Sequence, residues 1–287
     1  MPTTTRTRWA RVSGWAGAVA SSITATSSRT GPRTRAGRVR PVREQPEQQA
    51  PPVQRLRFRY AKRGRLRFTS HRDFSRAFER AVFRARIPMA YSSGFNPHPR
   101  ISYAGASPTG AASEAEYLEI GLAEVTDPAE VLAALDEALP PGLDLLQVVE
   151  SPGGSLSDLL EASVWRTTVP SMTPDQGAEG VTAFLAAEEV LVERMTKKGL
   201  RTFDCRAAVV SLQSAAGPGI EGECAILDMV LRHGTPSVRP DDVLAGLRTL
   251  VGLEADAAPL HERLAQGPLD TQFGTVGDPL ALHRDTA

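Results

Sequence analysis

Arg55-Leu56-Arg57-Phe58-Arg59-Tyr60 alternates basic and apolar side chains without a break. Successive side chains of a strand point to opposite faces, so this spacing predicts a half-buried strand. Leu56, Phe58 and Tyr60 should face a core and the three arginines should face out. Downstream, Lys62-Arg63-Gly64 reads as a turn, and Arg65-Leu66-Arg67-Phe68 as an extension or partner of the strand. Phe74, Ala77, Phe78, Ala81, Val82 and Ala85 then recur at helical spacing, with Asp73 at the cap or in the first turn. Arg72, Arg76, Arg80 and Arg84 fall four apart and form a stripe on the opposite face, with Phe83 inside it. Pro88 ends this helix.

Met89-Ala90-Tyr91 reads as a short strand. Residues 92–100 read as a loop, because Gly94, Pro97 and Pro99 oppose regular structure. Strands are expected again at Ile101 to Tyr103, at Tyr117 to Leu122 and over residues 143–149. Between the last two, Asp127-Pro128 opens a helix with a cap and a first-turn proline, followed by an apolar stripe of Val131, Leu132, Leu135 and Leu139.

The order strand, helix, strand, strand, helix, strand is the split βαβ, ferredoxin-like arrangement. After a linker at 151–160 the pattern recurs without sequence self-similarity. Strands are expected over residues 163–169, 189–195 and 224–232, and helices over 175–187 and 241–250. The expected fold is therefore α+β, with two tandem ferredoxin-like halves after a disordered basic N-terminal arm. The arm spans residues 1–52, the basic domain 53–150, the second domain 161–252 and an irregular tail 253–287. The arm is rich in Arg, Ser, Thr and Pro and poor in large apolar residues. A transit peptide, a nucleic-acid-binding arm or a translation start nearer Val53 would each account for that composition.

Across 287 residues, 41% hydrophobic and 23% charged content exclude a collagen-like or wholly disordered chain. No run of apolar residues is long enough for a spanning helix, so no membrane contact is expected. Two cysteines, Cys205 and Cys224, cannot build a disulfide framework or a four-cysteine metal site. A reducing compartment is the simplest reading. The formal net charge of zero conceals a strong asymmetry. Residues 1–54 sum to +7, residues 55–103 to +11 and residues 104–287 to −18. A basic front and an acidic back point to a polyanionic ligand, or to contact between the two.

Four motifs occur in order: Arg67-Phe68-Thr69-Ser70-His71-Arg72-Asp73, Arg76-Ala77-Phe78-Glu79-Arg80-Ala81, Ser93-Gly94-Phe95-Asn96-Pro97-His98-Pro99-Arg100 and Ser113-Glu114-Ala115-Glu116-Tyr117. Together they resemble the bacterial radical-SAM-linked protein family, a domain of unknown function. The motifs cover roughly residues 55–150. Val209-Val210-Ser211-Leu212 and Arg239-Pro240-Asp241-Asp242-Val243-Leu244 are similar to actinobacterial members. Members are encoded beside, or fused to, a cobalamin-binding-type radical SAM protein. The resemblance implies a radical SAM partner and a bacterial cytoplasm, and supplies no established catalytic residue.

Two thiols cannot hold a radical-SAM cluster, which needs three closely spaced thiolates. No P-loop, dinucleotide fingerprint or zinc-protease motif occurs, and no cofactor is expected. Guanidinium groups bind phosphate as rigid forks. Arg63, Arg65, Arg72, Arg76, Arg80, Arg84 and Arg100 are therefore the candidate phosphate- or RNA-binding residues, against the plain reading of a solvated arginine-rich surface. Residues 92–100 form the best single loop site. Pro97 and Pro99 would hold Asn96, His98 and Arg100 at low entropic cost, although Asn96 and His98 could equally tie the loop to its own backbone. His71, Glu114 and Glu116 could join them. The two glutamates could instead accept from Arg100 or Arg72, and His71 could serve as a local cap. The expected function is a non-catalytic accessory protein that binds RNA or a phosphate-bearing substrate for a radical SAM partner. Alternatives are an enzyme acting at His71, His98 and Glu114, or a purely structural subunit of that partner.

Overall fold

The computed structural model describes residues 48–196, 199–219, 222–252 and 257–281. Residues 1–47 of the expected basic arm lie outside the described residues, as do Lys197 and Lys198.

The alternating stretch forms β1 (Gln54–Lys62), and Leu56, Phe58 and Tyr60 are buried as their spacing demands. β1 runs antiparallel to β3 (Ala112–Leu122) on one side and to β4 (Leu145–Glu150) on the other. β2 (Ile101–Ala104) pairs antiparallel with β3. Two helices connect these strands, α1 (His71–Arg84) and α2 (Pro128–Ala138). Ser70 caps α1 by accepting the Asp73 N–H at 3.2 Å, which leaves Asp73 in the first turn. Asp127 caps α2 by accepting the Ala129 N–H at 2.8 Å. Phe74, Phe78 and Val82 of α1, with Val131 and Leu135 of α2, pack on Leu56, Phe58, Leu118 and Ile120. Non-directional apolar burial is what holds helices to sheet here.

Two local expectations need correction. The residues after Gly64 do not extend the strand. They wind into a 3-10 turn (Gly64–Phe68), with Gly64 at φ +54°. Met89 and Tyr91 make isolated bridges, to Leu122 and Pro99, rather than a strand. Pro88 and Pro99 bring no N–H to a ladder.

A larger correction concerns Arg57. Its position in the alternation is outward, yet its side chain is fully buried. The segment 151–160 crosses that face of the sheet, and Leu156 and Leu160 pack with Tyr117, Val149 and Leu280. Arg57 donates to Glu119 at 2.8 Å and to the carbonyls of Gly153 and Gly154 at 2.8 and 2.9 Å. Arg55 pairs with the same Glu119 at 3.1 Å. The face expected to be an open arginine surface is covered at Arg57, and Glu119 is shared by Arg55 and Arg57.

The second half begins with β5 (Ala162–Val169), followed by α3 (Pro174–Ala186). β6 (Leu191–Thr196) and β7 (Gly199–Asp204) form a separate hairpin. β8 (Val209–Pro218), β9 (Glu223–Arg232) and α4 (Pro240–Val251) follow. Phe184, Val243, Leu244 and Leu247 of the helices pack on Trp165, Leu212, Leu227 and Met229 of the sheet. Cys205 and Cys224 are buried on different elements, and burial, with Asp204 and Asp242 adding to it, pushes the Cys205 thiol up to about 12. Both behave as small core side chains.

The region expected to be an irregular tail supplies β10 (Leu260–Gly267). This strand lies between the halves, antiparallel to β5 and parallel to the start of β3 at residues 112 and 113. The result is one mixed sheet of eight strands, ordered β4-β1-β3-β10-β5-β9-β8 with β2 also on β3. The described residues thus form a mixed α/β structure with a large open sheet and four α-helices. No described helix is long and apolar enough to cross a membrane.

Candidate functional site

Helical periodicity places Arg72, Arg76, Arg80 and Arg84 on the exposed side of α1, opposite its buried phenylalanines. None of the four forms an ion pair among the described residues. Arg84 donates to the carbonyl of Ala138 at the end of α2. A groove of about 800 Å³ runs between α1 and the end of α2, lined by Arg76, Arg80, Arg84 and Phe83 together with Glu79 and Glu137. Phe83 is 83% exposed in that groove. An aromatic face bordered by guanidiniums can stack a base and hold its phosphate.

The other predicted basic residues divide. Arg65 is exposed on the 3-10 turn, beside the Arg67 guanidinium that lies 4.7 Å over the Phe68 ring. Arg63 is engaged: it donates through Nε to Glu114 at 2.6 Å and through Nη1 to Asp144 at 2.8 Å, and its second nitrogen also pairs with Glu114. Arg100 donates to the carbonyl of Tyr91 at 3.1 Å. Neither glutamate accepts from Arg72 or Arg100, as the sequence suggested. Glu114 takes Arg63, while Glu116 takes Arg263 and the Ser107 N–H.

The loop 92–100 is tied down by its own backbone. The Ser92 N–H donates to the His98 carbonyl at 2.9 Å, and the His98 N–H to Ser92 Oγ at 3.0 Å. Asn96 and His98 are exposed. His98 and Arg100 border a small cavity of about 290 Å³ with Arg55 and Glu119. His71, the first residue of α1, contacts the Tyr103 ring edge-on at 5.0 Å and borders a different cavity. His71, His98 and Glu114 therefore occupy three separate settings and share no hydrogen bond among the described residues.

That second cavity, of about 480 Å³, lies where the halves join, between the start of α1 and the start of α4. Its wall includes Ser163, Trp165, His233, Arg263 and Gln266. Arg263 stacks over Trp165 at 5.5 Å and donates to Gln266 at 3.0 Å and to Glu116. Ser163 Oγ accepts Trp165 Nε1–H at 2.8 Å and lies 3.1 Å from His233 Nε2. His233 Nδ1 is 2.7 Å from the Leu160 carbonyl, so Nδ1 carries the proton and the Ser163 hydroxyl donates to Nε2. Burial lowers the His233 pKa, keeping the ring neutral. Sequence reasoning missed this constellation. Its one signal was polar residues at inward positions of otherwise apolar strands.

An open mixed sheet flanked by helices, with an arginine-lined helix and a polar cavity at its midline, defines a mixed α/β protein. Residues 55–240 match the model of a family described as uncharacterized protein conserved in bacteria (DUF2344). The chain belongs to that family. No curated protein matches it. The family match ends before β10, which carries Arg263.

Proposed function

We propose that this chain binds RNA, or another phosphate-bearing molecule, along the exposed face of α1 and presents it to a radical SAM partner, without catalysis of its own. The observation that carries this reading is the contrast among the arginines. Arg55 and Arg57 share Glu119, and Arg63 meets Glu114 and Asp144, whereas Arg72, Arg76, Arg80 and Arg84 have no carboxylate within ion-pair distance among the described residues. An unneutralised row of guanidiniums beside an exposed aromatic ring suits a strand of nucleotides, whose charge and bases match both. Arg65, one turn of chain earlier, would extend the same surface. Glu79 and Glu137 line the same groove and would repel a phosphate placed beside them, so the phosphates would follow the arginine row.

Each half also follows a ferredoxin-like split βαβ plan in this reading. The strand orders β4-β1-β3-β2 and β10-β5-β9-β8, with helices in the crossovers, support it. Two buried thiols suit a reducing cytoplasm.

Fluorescence anisotropy with a labelled single-stranded RNA tests the proposal. Affinity should fall with salt, and Arg76→Glu/Arg80→Glu/Arg84→Glu should weaken it by at least about tenfold and flatten the salt dependence. Phe83→Ala should weaken it by about fivefold or more, as loss of a stacked base requires. Unchanged RNA affinity in the triple variant would sink the reading.

A further inference from the structure

The sheet interior beside the junction cavity holds more positive than negative charge. Lys62, Glu116 and Arg263 are 4%, 2% and 3% exposed, two cations against one carboxylate. Burial lowers the Lys62 pKa; Glu116 opposes that shift and Arg263 adds to it, as expected where cations outnumber the carboxylate. Charges taken out of water are costly unless paired.

Two further observations concern residues that line the cavity. A guanidinium has five N–H groups. Arg263 commits three: Nε to Ser113 Oγ at 3.3 Å, Nη1 to Gln266 at 3.0 Å and Nη2 to Glu116. Two remain on a side chain that lines the cavity and lies over the Trp165 ring at 5.5 Å. The Ser107 hydroxyl, on a residue that also lines the cavity, is buried and has no hydrogen-bond partner. Its backbone N–H is already given to Glu116 at 3.1 Å. A buried donor without a partner is costly, and such groups in native structures mark an absent ligand or water.

We propose that the junction cavity is the binding site of a small ligand carrying one oxyanionic group, a carboxylate or a phosphate monoester. The oxyanion takes the two remaining Arg263 N–H groups and the Ser107 hydroxyl. It supplies the negative charge that Glu116 alone does not. Trp165 offers the rest of the ligand an apolar wall, and the exposed His71 stands at the rim. The site is separate from the α1 groove and shares no lining residue with it.

Calorimetric titration and thermal unfolding of the full chain with benzoate, phenyl phosphate and neutral benzamide test the proposal. At least one of the two anions should bind one to one and raise the unfolding midpoint, and benzamide should do neither. Which anion binds distinguishes carboxylate from phosphate. Arg263→Lys should weaken binding, but Arg263 also ties β10 to β3, so a second variant is needed. Ala106 is exposed at the cavity wall, and Ala106→Glu adds a negative charge there without touching the buried network. It should melt like the parent without ligand and bind the anion at least about tenfold more weakly. The Arg76→Glu/Arg80→Glu/Arg84→Glu variant should bind as the parent does, which separates this site from the α1 surface. Failure of both anions to bind, equal binding of benzamide, or full binding by Ala106→Glu overturns the proposal.

Discussion

Glu116 sets how much charge the sheet interior can hold. Burial pushes its carboxyl upward, but Arg263, Ser113, Lys62 and the Ser107 N–H together outweigh burial and hold it below the usual range. A carboxylate depressed in the folded state contributes stability above its unfolded pKa and loses it as pH falls through the folded value. Glu116→Gln should therefore destabilise the protein by about 3–5 kcal/mol at neutral pH, by leaving two buried cations unpaired. Urea denaturation measures this, and adding Lys62→Met should restore part of the loss. Lys62 has the opposite consequence on the alkaline side. Its pKa is lowered from 10.5, mainly by burial, so between the folded value and 10.5 the unfolded chain binds the extra proton. Stability from this group rises with pH through that window. Lys62→Met should be more stable than the parent at neutral pH, with the advantage fading as pH approaches 10.5. Tyr60, raised well above 10.0 chiefly by burial, acts the other way above that pH, and cancels in the comparison of the two proteins. None of this network could be read from the chain. The sequence put Lys62 in a turn rather than in β1, and gave no sign that Arg263, far away in sequence, would meet Glu116.

Helix α3 shows how packing can reverse an intrinsic preference. Alanine is a better helix former than glycine by about 1 kcal/mol. At Gly177, however, a Cβ would lie 2.8 Å from the Cβ of Ala225 on β9, which cannot rotate away. Gly177→Ala should destabilise by about 1–3 kcal/mol, net of the helix gain, because overpacking forces the helix off the sheet. At Gly180 a Cβ would meet Leu247 Cδ2 at 2.5 Å, the far end of a side chain with other rotamers. Gly180→Ala should therefore cost less than Gly177→Ala, and thermal unfolding of both variants checks the order. If Gly177→Ala stabilises the protein, the close approach of α3 to β9 is wrong. Helices such as α1 and α2 were legible because apolar spacing, caps and proline agree with one another. β10 was not. Apart from Gly267, its buried residues are His261, Arg263 and Gln266, so the expected apolar alternation is absent.

At the level of the whole molecule, β10 is what turns two patterns into one sheet. It pairs with β5 along its length and with β3 at residues 112 and 113. It also brings Arg263 to Glu116 and His261 to Asp241, 2.8 Å away on α4. A chain ending at residue 252 loses all of these and exposes the edge of β5. It should lose the cooperative unfolding transition of the full chain and self-associate, since an unpaired edge templates other strands. Circular dichroism melts and gel filtration measure both. A truncated chain that melts cooperatively as a monomer would show that β10 is dispensable. The junction cavity exists only in this assembled sheet, because its walls come from both halves.

By itself the sequence determined the strand of residues 55–60, the arginine face of α1, the capped helices and the presence of both helices and strands in each half. Each rests on spacing between neighbours in the chain, which local geometry converts directly into faces. Only the tertiary structure decided which arginines stay available. Arg57 was lost to a crossing segment and Arg63 to Glu114 and Asp144, while the α1 row kept its solvent exposure. Tertiary structure alone also placed β10 at the midline and gathered Lys62, Glu116 and Arg263 beside a cavity. Contacts between residues far apart in sequence leave no periodic trace, because the burial that makes them costly or useful arises only when the sheet closes around them.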